Sequence, residues 1–333
     1  DSITFSITIL KMNFSKFKLA VVIPAYRTEK EILAVLHGIP TFIRHIIVVD
    51  DASPDSSADL VAAAAKKNRR LVLIRHTKNQ GVGGAMVTGF KKALELGAEI
   101  VIKLDGDGQM DPHYIPALIT PLITGEADYA KGNRFRDFDA LRQMPIVRRI
   151  GNLGLSFLTK AATGYWNIFD PTNGYFAIRA EMLAQLPLDH IDKSYYFETS
   201  MLSRLYLRDA FVQDVTIPAR YRNEVSSLSI KRVLFEFPYK LTRTLIKRII
   251  LKYFIFDFSM MSIYLLTGIP LLLFGLIFGI TKWIQYAELG IAAPTGTVIL
   301  PTLSVILAIQ ILLSAIEIDL NATPRKAISK ALV

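Results

Sequence analysis

The chain has 333 residues, which allows one large domain or two smaller ones. It contains no cysteine, and this excludes a disulfide framework and any metal site built on thiolates. Its net charge of +10 is compatible with nucleic acid, anionic lipid or phosphorylated ligands, and its hydrophobic content of 51% is high for a purely soluble protein. Residues 1–11 lack a secretory n-region and cleavage site, so we predict an upstream segment outside the fold.

The first hundred residues alternate apolar runs with helical patterns. Strands are predicted at 19–23, 46–49, 71–74 and 100–104, with helices at 29–38, 55–68 and 82–96. This alternation predicts a largely parallel sheet with helices on both faces. Ligands of such sheets bind beyond the carboxyl ends of the strands. Tyr26, Asp51, Asp105 and Asp107 lie at those ends, so the sequence predicts a site there.

Beyond residue 167 the pattern becomes α+β. Strands are predicted at 173–178 and 212–217, with a helix at 196–208 between them. Residues 231–257 then alternate basic and apolar residues at helical spacing, which is typical of an amphipathic helix at a membrane surface. Because this basic stretch precedes an apolar segment, phospholipid headgroups are favoured over nucleic acid as its partner. The alternative is that the basic residues of 231–257 form a solvated surface with no lipid partner.

Two long apolar segments follow. Ser259–Thr281 has 23 uncharged residues and Leu289–Ile316 has 28, so each is long enough to cross a bilayer. We therefore predict two transmembrane helices within 258–318. Basic residues crowd before the first segment and follow the second, and the positive-inside rule then places both flanks in the cytoplasm. Residues 319–333 would be a cytoplasmic tail.

The triplet Asp105-Gly106-Asp107 is the centre of the predicted chemistry. Two carboxylates one residue apart at a strand end can bind a hard divalent cation that bridges a diphosphate. Gly106 permits close approach of a phosphate, and Gln109 can supply a further oxygen ligand. An exposed acidic turn would give the same triplet. The acidic pair Asp50-Asp51 at another strand end favours the site.

Taken in order, these segments resemble the signatures of family-2 glycosyltransferases of GT-A fold, over roughly residues 18–230. The matching segments are 22–26, 48–53, 79–89, 104–109, 132–135 and 170–175. Within the family the chain is most similar to dolichyl-phosphate mannose synthases and to bacterial polyprenyl-phosphate enzymes of the GtrB type, which carry two C-terminal spans. The resemblance implies an α/β architecture. A Rossmann-like GT-A domain for a nucleotide sugar would cover 12–230, followed by amphipathic juxtamembrane helices at 231–257 and the two spans.

The resemblance also implies roles for individual residues. The nucleotide sugar would be bound by Pro24, Tyr26, Glu29, Asp51 and Asp105. Mg²⁺ or Mn²⁺ would be held by Asp105, Asp107 and Gln109. The acceptor phosphate would be bound by Arg134, Arg148 or Arg149, Arg220 and Lys231. Asp170 and Glu198 are the candidate catalytic bases, although a lipid phosphate that is already ionised needs no base. Arg148 and Arg149 could equally form a membrane-facing pair.

The implied activity is inverting transfer of glucose from UDP-glucose to undecaprenyl phosphate at the cytoplasmic face of a membrane. No nucleic-acid partner is expected, and a homo-oligomer is left open. Transfer of mannose or an amino sugar to dolichyl or undecaprenyl phosphate is the alternative, with mannose disfavoured because 219–229 lacks the Gly-x-Ser-Lys form of mannose synthases.

Three further classes of protein are alternatives. A processive polysaccharide synthase would carry Gln-x-x-Arg before Trp, which neither Trp166 nor Trp283 has. A NAD-dependent enzyme would carry its glycines after the first strand, whereas 79–84 follows the third. A non-catalytic membrane scaffold that kept a nucleotide-binding fold is disfavoured by the intact acidic triplet.

Overall fold

The computed structural model describes residues 12–133, 146–171, 173–217 and 230–332, with only the backbone described at 146–150, 152 and 230–235. The chain forms two compact units. The first extends to Thr244 and includes the tail from Pro324, and the second is Leu245–Thr323.

The first unit is built on one mixed sheet. Its strands are β1 Leu19–Ala25, β2 His45–Asp50, β3 Leu71–Arg75, β4 Ile100–Lys103, β5 Tyr129–Asn133, β6 Phe176–Arg179 and β7 Val212–Thr216. The strand order is β3-β2-β1-β4-β6-β5-β7. β1 to β4 are parallel, β6 runs antiparallel to β4 and β5, and β5 is parallel to β7. The predicted largely parallel sheet is therefore confirmed.

Helices cover both faces of this sheet. The helices up to residue 250 are α1 Ile32–Gly38, α2 Ser57–Ala65, α3 Val82–Glu95, α4 Ile115–Ile123, α5 Ile146–Thr163, α6 Ala180–Ala184, α7 Phe197–Tyr206 and α8 Ile230–Ile250. Successive residues of a strand point to opposite faces, so each apolar strand contributes side chains to two cores, one on each face of the sheet. Val21 and Ile23 join one core with α1 and α4, while Val22 joins the other with α3 and α7. Each fully buried aliphatic side chain contributes about 1.5–3 kcal/mol.

The C-terminal tail packs on the first unit. The buried carboxylate of Asp128, just before β5, accepts hydrogen bonds from the backbone N–H groups of Phe211, Ile328 and Ser329 at 2.8–3.2 Å. The N–H of Leu332 donates to the carbonyl of Ile123 at 2.8 Å. From Pro324 onward, the segment predicted to be a cytoplasmic tail therefore belongs to this unit, whereas 319–323 belong to the second unit.

The second unit contains two long helices, α9 Met260–Leu289 and α10 Thr295–Asn321. Both are long and apolar enough to cross a membrane, and only 11% and 22% of their most apolar windows is buried within the protein. Pro294 caps α10, so this helix begins later than the apolar run. At its other end, Asp319 accepts two hydrogen bonds from the buried Arg248 and one from Tyr253, at 2.6–2.9 Å. A buried charge needs such pairing. The ion pair between Arg248 and Asp319 fixes the end of α8 against α10.

Candidate active site

The carboxyl ends of β1, β2 and β4 bring the predicted polar residues to one edge of the sheet. The registers pair Ala25 with Asp50 and Val22 with Lys103, so the loops after these strands start side by side. Pro24 is half-buried within β1, and Tyr26 is exposed directly after it with the Arg27 guanidinium 5.4 Å from its ring centroid. This grouping of strand ends follows from the parallel topology.

A cleft of about 560 Å³ opens beside this edge. It is lined by Arg27, Glu29, Lys30, Glu31, Pro54, Asp55 and Asp107. Glu29 is held there by a hydrogen bond to its carboxylate from the N–H of Ser56, at 3.1 Å. The cleft thus brings together Glu29, predicted for the nucleotide, and Asp107, predicted for the metal, from loops 78 residues apart in the chain.

The triplet Asp105-Gly106-Asp107, predicted to bind a metal, forms a tight turn after β4. The N–H of Gln109 donates to Asp107 Oδ1 at 3.0 Å, and Gly108 has a φ of +74°, which favours glycine. Carboxylate and amide oxygens suit Mg²⁺ or Mn²⁺. Within the described ranges, no group of three or more His, Asp or Glu side chains lies close enough to hold a metal. The residues therefore fit a cation that takes its remaining ligands from a diphosphate and water.

Asp51 is engaged within the protein. Its buried carboxylate accepts hydrogen bonds from the N–H groups of Gln80 and Gly81 at 2.8 and 2.7 Å, and His76 Nδ1 lies 2.7 Å from Oδ1. These bonds shape the glycine-rich turn that begins α3. Direct binding of the nucleotide by Asp51 stays a prediction, and the supporting role of His76 was not visible in the sequence because Asp51 precedes it by 25 residues.

The neighbouring Asp50 is a further candidate, which the sequence indicated only as part of the acidic pair Asp50-Asp51 and without a role of its own. It is buried, and its Oδ2 accepts a hydrogen bond from the N–H of Ser53 at 3.3 Å. Its Oδ1 has no hydrogen-bond partner within the described part of the chain. Because buried oxygens are normally hydrogen-bonded, a ligand N–H or O–H is a natural partner for this atom.

Glu198, in the first turn of α7, lies close to the acidic triplet. Lys103 Nζ is 2.7 Å from Asp105 Oδ1 and 3.7 Å from Glu198 Oε1, so one ammonium group bridges the two acids. Burial raises the pKa of Glu198 to about 7, although the nearby Lys103 charge opposes this shift. A carboxylate in this state can accept or hold a proton near neutral pH.

Asp170 is fully buried in the segment that leads into β6. Its backbone carbonyl accepts hydrogen bonds from the buried Lys131 ammonium and from the N–H of Asn173, the latter at 3.2 Å. The same segment places Gly174 against Glu198 and Lys103. The structure therefore brings the two base candidates onto adjoining segments, and a catalytic role for either stays a prediction.

The predicted phosphate-binding residues cannot be located in full. Arg134 and Arg220 lie outside the described residues. Arg148 and Arg149 are on α5 and Lys231 is in the first turn of α8, where the backbone alone is described. Their assignment to the acceptor phosphate stays a prediction.

An exposed apolar face on α5 was missed in the sequence. Leu153 and Phe157, four residues apart, are 66% and 60% exposed, and Phe169 in the following loop is 60% exposed. Lys160 Nζ lies 5.0 Å from the ring centroid of Phe169. Exposed apolar surface flanked by a basic group is typical of contact with a membrane or a partner.

The basic side chains described on α8 fall into three environments. Lys240 is paired with Asp192 at 2.8 Å and Glu236 at 2.9 Å, which ties α8 to the loop before α7. Arg248 is buried against Asp319, so this residue of the predicted basic face does not reach the surface. Arg243 and Lys247 are exposed.

Comparison with known proteins decides the family. The family model described as glycosyl transferase family 2 matches residues 20–186, half of the chain. The chain belongs to glycosyl transferase family 2. This family-2 member is therefore an enzyme of the glycosyltransferase class, as predicted.

The names of two relatives of this glycosyltransferase state that they act on polyprenyl phosphates. The UDP-N-acetylglucosamine–dolichyl-phosphate N-acetylglucosaminyltransferase of Methanococcus voltae is 35% identical over 178 residues, which are 50% of this chain and 70% of that protein. The undecaprenyl-phosphate mannosyltransferase of Micrococcus luteus is 32% identical over 160 residues, which are 48% of this chain and 65% of that protein.

A solved structure confirms the fold. Glucosyl-3-phosphoglycerate synthase from Mycobacterium tuberculosis, in complex with Mn²⁺, UDP and phosphoglyceric acid, matches with a TM-score of 0.53 at 20% identity. The match covers 72% of this chain and 82% of that chain. The predicted GT-A architecture is thus confirmed for the first unit.

Proposed function

We propose that this glycosyltransferase moves a sugar from a nucleotide sugar to a polyprenyl phosphate at a membrane surface. The observation that carries the proposal is the cleft at the strand ends, which joins Glu29 and Asp107 in a chain that also has two candidate membrane spans. A non-catalytic membrane scaffold would not require this arrangement of acids. The names of the M. voltae and M. luteus relatives support the same acceptor class.

On the donor side, Pro24, Tyr26 and Glu29 would line the nucleotide pocket, and the buried Asp50 Oδ1 offers a further acceptor. Asp105, Asp107 and Gln109 would hold Mg²⁺ or Mn²⁺. When bound, the cation neutralises charge on the diphosphate leaving group. The Mn²⁺ and UDP in the M. tuberculosis structure agree with such a donor site on this fold.

On the acceptor side, the lipid phosphate oxygen would attack the anomeric carbon as the bond to the diphosphate breaks, with inversion. The phosphate is already ionised at neutral pH, so positioning carries most of the work. Glu198 would orient the acceptor or take its residual proton, with Asp170 behind it. The exposed apolar face of α5 would contact the prenyl chain or the bilayer surface.

The sequence favours UDP-glucose as the donor and undecaprenyl phosphate as the acceptor. UDP-N-acetylglucosamine is the second candidate donor, because the M. voltae relative is named for that sugar. The catalytic unit is proposed to face the cytoplasm, since basic residues flank the two spans.

A donor panel tests this proposal. Detergent-purified full-length protein is incubated with undecaprenyl phosphate and radiolabelled UDP-glucose, UDP-N-acetylglucosamine or GDP-mannose, and organic extracts are counted. We expect labelled lipid from a UDP sugar. If no donor gives labelled lipid while the protein still binds UDP, the scaffold alternative holds.

A further inference from the structure

Lys103 is the most unusual residue of the strand-end region. It is the last residue of β4, paired with Val22 on one side and Phe176 on the other, and its side chain is only 2% exposed. An ammonium group is costly to bury unless charged partners surround it. The role of the Lys103 ammonium group therefore depends on the charged groups that surround it.

Those partners are acids of the candidate site. Nζ lies 2.7 Å from Asp105 Oδ1 and 3.7 Å from Glu198 Oε1, and the charge of Asp107 also acts on it. The ring centroid of Phe197 lies 5.7 Å from Nζ, which closes a further side. One positive charge thus lies between a donor-side acid and an acceptor-side acid.

The chain makes room for this contact at Gly174. A Cβ atom at that position would lie 2.5 Å from Lys103 Nζ and 3.0 Å from Glu198 Oε1. Glycine at 174 therefore leaves the space that the Lys103 ammonium group and the Glu198 carboxylate occupy. Three separate parts of the sequence converge on this one cation.

We propose that the Lys103 ammonium occupies the space in which a divalent cation would otherwise bind between Asp105 and Glu198. Metal binding then depends on the diphosphate of the donor, which supplies the ligands that the protein withholds. The absence of a ready group of three acidic or histidine ligands within the described ranges agrees with this. The inference rests on the proposed metal-dependent donor site, and it makes Lys103 a positioning residue that keeps Glu198 from acting as a metal ligand.

The test measures Mn²⁺ binding without nucleotide. The full-length protein in detergent is titrated with Mn²⁺ by electron paramagnetic resonance, as wild type, Lys103→Met and Lys103→Gln. Loss of the positive charge removes its repulsion of a divalent cation between Asp105 and Glu198, so both variants should bind Mn²⁺ at least about tenfold more tightly than wild type. Lys103→Arg keeps the charge and should behave as wild type. Adding Glu198→Gln to Lys103→Met should abolish the gain.

Lys103→Gln serves where the methionine variant does not fold, since it places a polar but uncharged group beside the acids. Arg179→Met is the matched control. Arg179 is a buried cation on the adjacent strand, at the opposite end of β4 from the site, and donates to the carbonyl of Leu122 at 3.0 Å. This variant should lower the melting temperature and leave Mn²⁺ binding unchanged.

Folded neutral variants that bind Mn²⁺ no more tightly than wild type would overturn the proposal. The readout needs no sugar transfer, so it is separate from the proposed function. If the wild type makes no sugar lipid but the neutral variants gain Mn²⁺ binding, the function fails and the role of Lys103 stands.

Discussion

Glu198 shows how burial and a neighbouring cation set the behaviour of one residue. Its pKa is raised to about 7, chiefly by burial. Between its ordinary value near 4.5 and pH 7, the folded state holds a proton that the unfolded state has released. Stability is therefore lost as pH rises through this window, by at most about 1.4 kcal/mol per pH unit.

Glu198→Gln should remove that dependence. The amide stays neutral at every pH, so the melting temperature of the variant relative to wild type should rise between pH 5 and pH 8 in EDTA. Glu95→Gln, at an exposed surface pair with Lys92, is the control and should show a constant difference. A difference for Glu198→Gln that does not change with pH would contradict the raised pKa.

At this scale the sequence predicted the acids but not their partners. Asp105, Asp107 and Glu198 were found because motifs and strand ends mark them. Lys103 and His76 were missed, since each has a partner that is remote in the chain: Glu198 is 95 residues from Lys103, and Asp51 is 25 residues from His76. Such pairs form only when the sheet brings separate segments together.

At the scale of elements, α5 has the clearest consequence for function. Its exposed Leu153 and Phe157 would lie against the bilayer or the prenyl chain in the proposed reaction. Burial of each side chain is worth about 1.5–3 kcal/mol. Leu153→Ser combined with Phe157→Ser should therefore raise the KM for undecaprenyl phosphate in liposomes at least about tenfold.

A second acceptor provides the control for the same double variant. A short, water-soluble prenyl phosphate should be used equally by wild type and variant, because it does not need the apolar face. An unchanged KM for the long-chain lipid in liposomes would exclude α5 from acceptor binding.

The strands with strong apolar runs were predicted and α5 was missed. β1, β2 and β4 are buried on both faces, and their continuous aliphatic runs identify them in the sequence. α5 contains Gly151 and Gly154, which lower its helix propensity, although Ile146, Ile150, Leu153 and Phe157 recur at helical spacing. That spacing indicates a helix, but it does not indicate that Leu153 and Phe157 face outward.

At the scale of the whole molecule, Asp128 anchors the tail to the catalytic unit. Its loss would leave three backbone N–H groups without their charged acceptor, which costs on the order of 2–4 kcal/mol. Asp128→Ala should lower the melting temperature and speed hydrogen exchange at Ile328 and Ser329. Asp189→Ala, which removes an exposed pair with Lys91, should do neither. Unchanged exchange at the tail would show that these bonds do not hold it.

In the proposed reaction, the enzyme transfers a sugar to a lipid phosphate, and this transfer depends on a metal held by the strand-end acids. The most direct measurement is formation of labelled undecaprenyl-phosphate sugar by purified wild type, by Asp107→Ala, and by wild type in excess EDTA. We predict product with wild type and a loss of at least about a hundredfold in the other two, because the diphosphate charge is then not neutralised. Asp59→Ala, at an exposed pair with Arg75, should retain activity. Full activity in EDTA or in Asp107→Ala would contradict the account.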